Sequence, residues 1–169
     1  MSTPPASRSR SLGLTLIEIA IVLAVLAVLA TLAVPSLGHR LARERLAATA
    51  ERLAADVAEA RFDAARRGQP LYLRATVGAA TCWSIATAPG CDCQAVLACQ
   101  VRRMPASSSS GVRTVQAQDV RLEPGGTAVA GTAAVLEIKS GEKLRVDVLA
   151  LGRTRICSLG GPATKYAAC

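Results

Sequence analysis

Residues 13–35 read GLTLIEIAIVLAVLAVLATLAVP. From Ile19 to Val34 every residue except Thr31 is apolar, and a single carboxylate, Glu18, stands at the N-terminal edge of the run. Ahead of it lies a short basic leader, Met1–Gly13, carrying Arg8 and Arg10. Seating a carboxylate near a bilayer interior costs roughly 3 kcal/mol or more, so Glu18 requires a partner. Leu14 to Leu37 is long enough to span a membrane, because about 20 residues at 1.5 Å rise cross the hydrocarbon layer. Pro35, near the end of that span, removes one helical hydrogen bond and predicts a kink.

Beyond Pro35 the composition turns amphipathic. Leu46, Ala50, Leu53, Val57, Ala60 and Ala64 recur at steps of three and four, which is one face of a helix. Arg43, Arg45, Glu51, Arg52, Asp56, Glu59 and Asp63 lie largely off that stripe. Glu59 and Asp63 are spaced to pair with Arg52, Arg66 or Arg67 on the same helix. Gly68 followed by Pro70 is a stop signal. The pattern predicts one nearly continuous helix from about Leu14 to Arg67, about 80 Å long, whose C-terminal half stands in water or packs on a domain.

After Gly68 the period changes to two. Leu71–Thr76, Thr81–Thr87 (with Trp83 and Ile85 on one side), Val112–Leu122, Ala134–Lys139, Leu144–Leu149 and Arg153–Ser158 read as strands. Pro89–Cys99 reads as a cysteine-bearing loop, Ser107–Gly111 as a connection or hairpin tip, and Ser140–Lys143 as a hairpin turn. Helix first and strands after is an α+β arrangement: a long N-terminal helix packed on an antiparallel, β-sandwich-like C-terminal domain.

Composition narrows the chemistry. Of 169 residues, 51% are hydrophobic but only 2% aromatic, so the core is built from thin side chains. The formal net charge is +8, and most of the 20 basic residues are Arg. That excess has two readings, bidentate binding of carboxylate or phosphate and the codon bias of a GC-rich genome. Cys82, Cys91, Cys93, Cys99, Cys157 and Cys169 all lie beyond residue 80, an even count suited to disulfides in an oxidising compartment. Their spacing lacks the C-x2-C pairs of common zinc sites, and His39, the single histidine, is far away, so no metal is expected. Cys91 and Cys93 are too close to pair comfortably with each other. The expectation is Cys157 with Cys169, and two bonds among Cys82, Cys91, Cys93 and Cys99. No nucleophile–base pair and no phosphate loop is visible, so neither catalysis nor a cofactor is expected.

Gly13-Leu14-Thr15-Leu16-Ile17-Glu18, the Ala/Val/Leu run and Pro35 together resemble the prepilin signature of type IV pilins and type II secretion pseudopilins. The resemblance implies cleavage between Gly13 and Leu14 by a prepilin peptidase and N-methylation of Leu14; the family's usual residue after the cut is Phe, and Leu14 departs from it. An ordinary secretory signal, cut after Val28-Leu29-Ala30, would carry Glu18 inside its apolar run. The implied organisation is a leader at 1–13, a transmembrane and filament-core helix at 14–37, an amphipathic helix at 38–68, and a periplasmic disulfide-bonded β domain at 69–169. In a filament, Glu18 would face the terminal amine of a neighbouring copy and set axial register, because an unpaired carboxylate there is costly; the alternative is a lone glutamate snorkelling to the headgroups.

Ala60–Gly68 and Leu151–Cys157 are similar to the helix end and the closing strand of the GspH/FimT branch of minor pilins and pseudopilins. That branch implies partners: other pilins or pseudopilins, the prepilin peptidase and an inner-membrane assembly platform. In FimT-type subunits a Gly-Arg-Xaa-Arg motif is associated with double-stranded DNA in natural transformation. Gly152, Arg153 and Arg155 match it. On a strand the two guanidiniums share a face and form a phosphate clamp, which Lys165 joins if a Cys157–Cys169 bond folds the tail back. The bland alternative is two solvated charges guarding an edge strand. The expected protein is thus a single-pass inner-membrane precursor that enters a type IV pilus or a type II secretion pseudopilus. Its rivals are a pseudopilin contacting exported proteins without DNA, and a membrane-tethered periplasmic enzyme.

Overall fold

All six residues of the amphipathic stripe, Leu46, Ala50, Leu53, Val57, Ala60 and Ala64, are buried, and they belong to one hydrophobic cluster with the strands that follow. A computed structural model describes residues 15–107, 111–160 and 165–169, with the backbone alone for 32–36, 106 and 107. Helix α1 runs Leu16–Arg67. It stops where the pattern predicts. Gly68 takes φ +64°, which a side chain disfavours, and the amides of Gly68 and Gln69 donate to the carbonyls of Ala65 and Ala64 at 3.3 Å.

The chain divides into two compact units, Met1–Gly38 and His39–Cys169. In the first, Leu16, Ile17, Ile19, Ile21, Val22, Leu23, Val25, Leu26, Val28 and Leu29 are all exposed. Among the described residues no helix is long and apolar enough to cross a membrane. The apolar stretch with described side chains, Leu16–Thr31, covers only about 24 Å at 1.5 Å per residue, against a hydrocarbon layer of about 30 Å. Gly13, Leu14 and the side chain of Pro35 lie outside the described residues.

The second unit adds two antiparallel four-stranded sheets. Strands β1 (Leu71–Thr76), β2 (Thr81–Ala86), β3 (Gln100–Ser107) and β5 (Val120–Leu122) form the first, in the order β3-β2-β1-β5. Strands β4 (Val112–Ala117), β6 (Gly131–Ile138), β7 (Lys143–Val148) and β8 (Thr154–Ser158) form the second, in the order β4-β6-β7-β8. Leu71, Leu73, Trp83, Ile85, Leu122, Leu136, Leu144 and Val146 join the helix stripe in the core. Each large apolar side chain so buried contributes roughly 1.5–3 kcal/mol.

Three sequence readings need correction. Val112–Leu122 is not one strand: the chain leaves the second sheet after Ala117 and enters the first at Val120. Gln118 and Asp119 make the crossing, Gln118 accepting from the Thr132 amide at 3.3 Å and Asp119 pairing with Arg74 at 3.1 Å. Gln100–Ser107, which shows no clean alternation, is the edge strand β3; an edge is where Pro105 is tolerated. Glu59 finds its partner across the fold rather than along the helix. Arg102 on β3 forks onto Glu59 and also reaches Asp56 at 3.2 Å, while the indole of Trp83 donates to the other Asp56 oxygen at 2.8 Å. Asp63 pairs with Arg66, one of its expected partners.

The two sheets treat their outer faces differently. On the first sheet the cysteine loop covers the outer face of β2. Cys82 is bonded to Cys93, and the Ser84 hydroxyl donates to the Cys91 carbonyl at 2.6 Å. That cover explains why β2 is buried on both faces. The outer face of the second sheet carries charged residues instead.

Candidate functional site

Gly152 sits in the turn between β7 and β8. Its amide donates to the Leu149 carbonyl at 2.7 Å, and the Leu149 amide donates to the Arg153 carbonyl at 2.8 Å. The backbone of Gly152 takes φ +67°. A Cβ there would meet the Arg61 Cδ at 2.6 Å and the Gly126 carbonyl oxygen at 2.7 Å. Arg61, on α1, donates from Nη1 to the Leu151 carbonyl at 3.0 Å. The glycine of the Gly-Arg-Xaa-Arg motif is therefore required by packing of the turn against the helix.

Arg153 closes this turn and precedes β8, which begins at Thr154; it does not lie within the strand as the alternation predicted. Its side chain is exposed. Arg155 lies within β8, opposite Asp147 in register, and donates to it at 3.3 Å. Asp147 also accepts from Arg145 Nε at 3.1 Å and from the Thr132 hydroxyl at 2.9 Å. Two guanidiniums thus share one sunken carboxylate, leaving one unit of positive charge over. Lys165 does not join them. It pairs with Glu51 on α1 at 2.6 Å, and the Tyr166 hydroxyl donates to the same carboxylate at 2.5 Å.

At the other end of the chain, Thr15 caps α1. Its hydroxyl accepts from the Glu18 amide at 3.3 Å. Thr-x-x-Glu at a helix start is the pattern of a capping box, in which the cap satisfies an amide left without an intrahelical partner. Glu18 is exposed in the first turn.

Comparison with known families gives a match. The family described as "Type II transport protein GspH" matches residues 49–152, more than half of the chain. The chain belongs to the GspH family. It is a family of pseudopilin subunits rather than of enzymes. No curated protein and no solved structure matches the chain. The GspH match begins on α1 and ends at Gly152, so Gly13–Glu18, Arg153 and Arg155 all fall outside it.

Within and beyond the GspH segment the six cysteines form three bonds: Cys82–Cys93, Cys91–Cys99 and Cys157–Cys169. Cys82, Asp92 and Cys93 converge, but the two sulfurs are bonded to each other and are not offered to a metal. Burial pushes the Asp92 carboxyl up; hydrogen bonds from the Thr76 hydroxyl and the amides of Gln94 and Cys93 outweigh it and hold the group below its ordinary value.

Sequence reasoning missed Arg61, Arg145 and Asp147. Arg61 carries no local signal, because its partner lies across the fold. Asp147 was legible: counting outward from the turn that pairs Leu149 with Arg153 sets residue 147 opposite 155.

Proposed function

We propose that this GspH-family chain is the precursor of a minor pseudopilin or pilin. A prepilin peptidase removes residues 1–13 between Gly13 and Leu14, and the new Leu14 amine is methylated. The apolar half of α1 then holds the subunit in the bacterial inner membrane as a single pass, with the disulfide-bonded domain in the periplasm. An assembly platform drives it into a short filament, where it stands within the shaft or near the tip. Glu18 meets the terminal amine of a neighbour. The family match carries this reading, and the row of exposed apolar side chains from Ile19 to Leu29 supports it, because such a row requires lipid or other helices. The test is N-terminal sequencing of the protein from cells with an active peptidase. An N-terminus at methylated Leu14 is expected, and any other sinks the reading.

A second function, capture of double-stranded DNA through Arg153 and Arg155, is favoured by the exposure of both side chains on one edge of the domain. Its contacts would be to phosphate, independent of sequence and steeply dependent on salt. Loss of binding in Arg153→Gln with Arg155→Gln is expected. Undiminished binding puts the DNA site elsewhere on the protein, and no binding by the unaltered protein leaves the alternative, a pseudopilin that contacts exported proteins.

A further inference from the structure

We infer that the entire outer face of the second sheet, rather than the Gly152–Arg155 segment alone, is the docking surface for the phosphate backbone of double-stranded DNA. This rests on the DNA-binding reading above.

Strand register sets the face. Arg113 lies opposite Glu137, Glu137 opposite Lys143, and Arg155 opposite Asp147. Arg145 stands midway between Lys143 and Asp147 on β7, so it points the same way. The alternate positions Leu136, Leu144 and Val146 are buried in the core. Arg113, Lys143, Arg145 and Arg155 therefore share the outer face, and Arg153 stands exposed at its border.

Depth then decides the sign. The cations Arg113, Arg155, Lys143 and Arg145 expose 57, 55, 40 and 29% of their side chains, whereas the carboxylates Glu137 and Asp147 expose only 8 and 12%. Each carboxylate lies beneath two cations: Glu137 accepts from Arg113 at 2.7 Å and Lys143 at 3.5 Å, and Asp147 from Arg145 and Arg155. The buried anions hold the cations in place without covering them. Ordering that is already complete before binding lowers the entropic cost of the complex. What faces solvent is positive, in excess by one charge over each carboxylate, with Arg153 added.

The dimensions suit a duplex. Four residues along β7 span about 13 Å, and the step from β4 to β8 about 14 Å. The diagonal, about 19 Å, covers five or six base-pair steps of 3.4 Å. The chemistry favours nucleic acid over an acidic protein. Val135 and Cys157 share the face but are buried, so among the described residues the face offers no apolar anchor of the kind that centres a protein interface. Guanidiniums in turn match phosphate oxygens in pairs.

The test uses full-length protein in detergent and a short duplex of random sequence, with affinity measured across a range of salt. If all five cations engage phosphate, the slope of log affinity against log salt is about −4.5; if Arg153 and Arg155 act alone it is about −2. Lys143→Gln with Arg145→Gln leaves every buried carboxylate one partner, and should flatten the slope by about 2. A second readout needs no variant: bound duplex should protect Lys143 of the unaltered protein from acetylation. A slope near −2 with Lys143 unprotected overturns the extended face and leaves the Arg153/Arg155 reading standing. No binding by the unaltered protein overturns both.

Discussion

The side chain of Arg61 on α1 fills the space that any side chain at position 152 would need, its Cδ standing 2.6 Å from where a Cβ would lie. From there Arg61 donates to the Leu151 carbonyl at 3.0 Å, so the helix end and the β7–β8 turn hold each other. Arg153 closes a turn braced by a residue that the motif does not contain, and Arg155 follows it in β8.

Gly152→Ala should therefore destabilise the domain by about 2–4 kcal/mol, combining left-handed backbone strain with overpacking against Arg61 and the Gly126 carbonyl. Denaturant unfolding measures it. A loss under about 0.5 kcal/mol would mean that the turn simply relaxes.

Trp83→Phe should cost about 1–3 kcal/mol. It removes the 2.8 Å hydrogen bond to Asp56 while keeping most of the buried ring. Asp56 retains Arg102, so the loss should be smaller than for Asp56→Ala, which strands the indole N–H as well. A loss near zero in Trp83→Phe would show that the indole bond carries none of the stability.

Removing the Cys157–Cys169 bond, as Cys157→Ser with Cys169→Ser, should cost about 3 kcal/mol, the loop-closure entropy expected for a loop of this size. Hydrogen exchange should rise at the amides of positions 158 and 169, because the bond holds the tail against β8, where the Ser158 amide donates to the Ala167 carbonyl at 2.8 Å and the Cys169 amide to the Ser158 carbonyl at 3.1 Å. Unchanged protection there would show that the Glu51 contacts hold the tail alone.

Acid should weaken the domain. Hydrogen bonds from Arg102, Arg66 and Lys165 hold the carboxyls of Glu59, Asp63 and Glu51 below their ordinary values. For Glu137, burial pushes the carboxyl up, and the hydrogen bond and charge of Arg113 more than offset it. A lowered carboxylate contributes stability that is complete above its unfolded value, about 4, and is lost as pH falls through the lowered folded value. Denaturant midpoints should be level from about pH 5 to 7 and fall steadily below about pH 4. A midpoint unchanged at pH 3 would contradict these pairings.

Glu18→Ala and Thr15→Ala separate two roles of the helix start. Thr15→Ala weakens the cap by about 1 kcal/mol, and Glu18→Ala leaves the capped amide in place while removing an acidic group from the first turn. Only the first removes the charge proposed to meet a neighbour's amine. Filament entry should fail in Glu18→Ala and persist in Thr15→Ala; equal failure would reduce Glu18 to a capping residue.

The sequence by itself determined the elements that depend on near neighbours. The stripe from Leu46 to Ala64, the stop at Gly68, the hairpin at Ser140–Lys143 and the even cysteine count are all local or compositional, and period and turn chemistry reveal them. Tertiary structure alone decided three things. Val120–Leu122 keeps the alternation of Val112–Ala117 while changing sheets, because a period of two reports which face is buried and not which neighbour it pairs with. Glu59 and Lys165 met partners far along the chain, Arg102 and Glu51, because an exposed charge settles on the nearest opposite charge in space. The charged face of the second sheet also belongs to the fold. Arg113, Lys143, Arg145 and Arg155 are scattered through the sequence, and only strand register brings them side by side above two buried carboxylates.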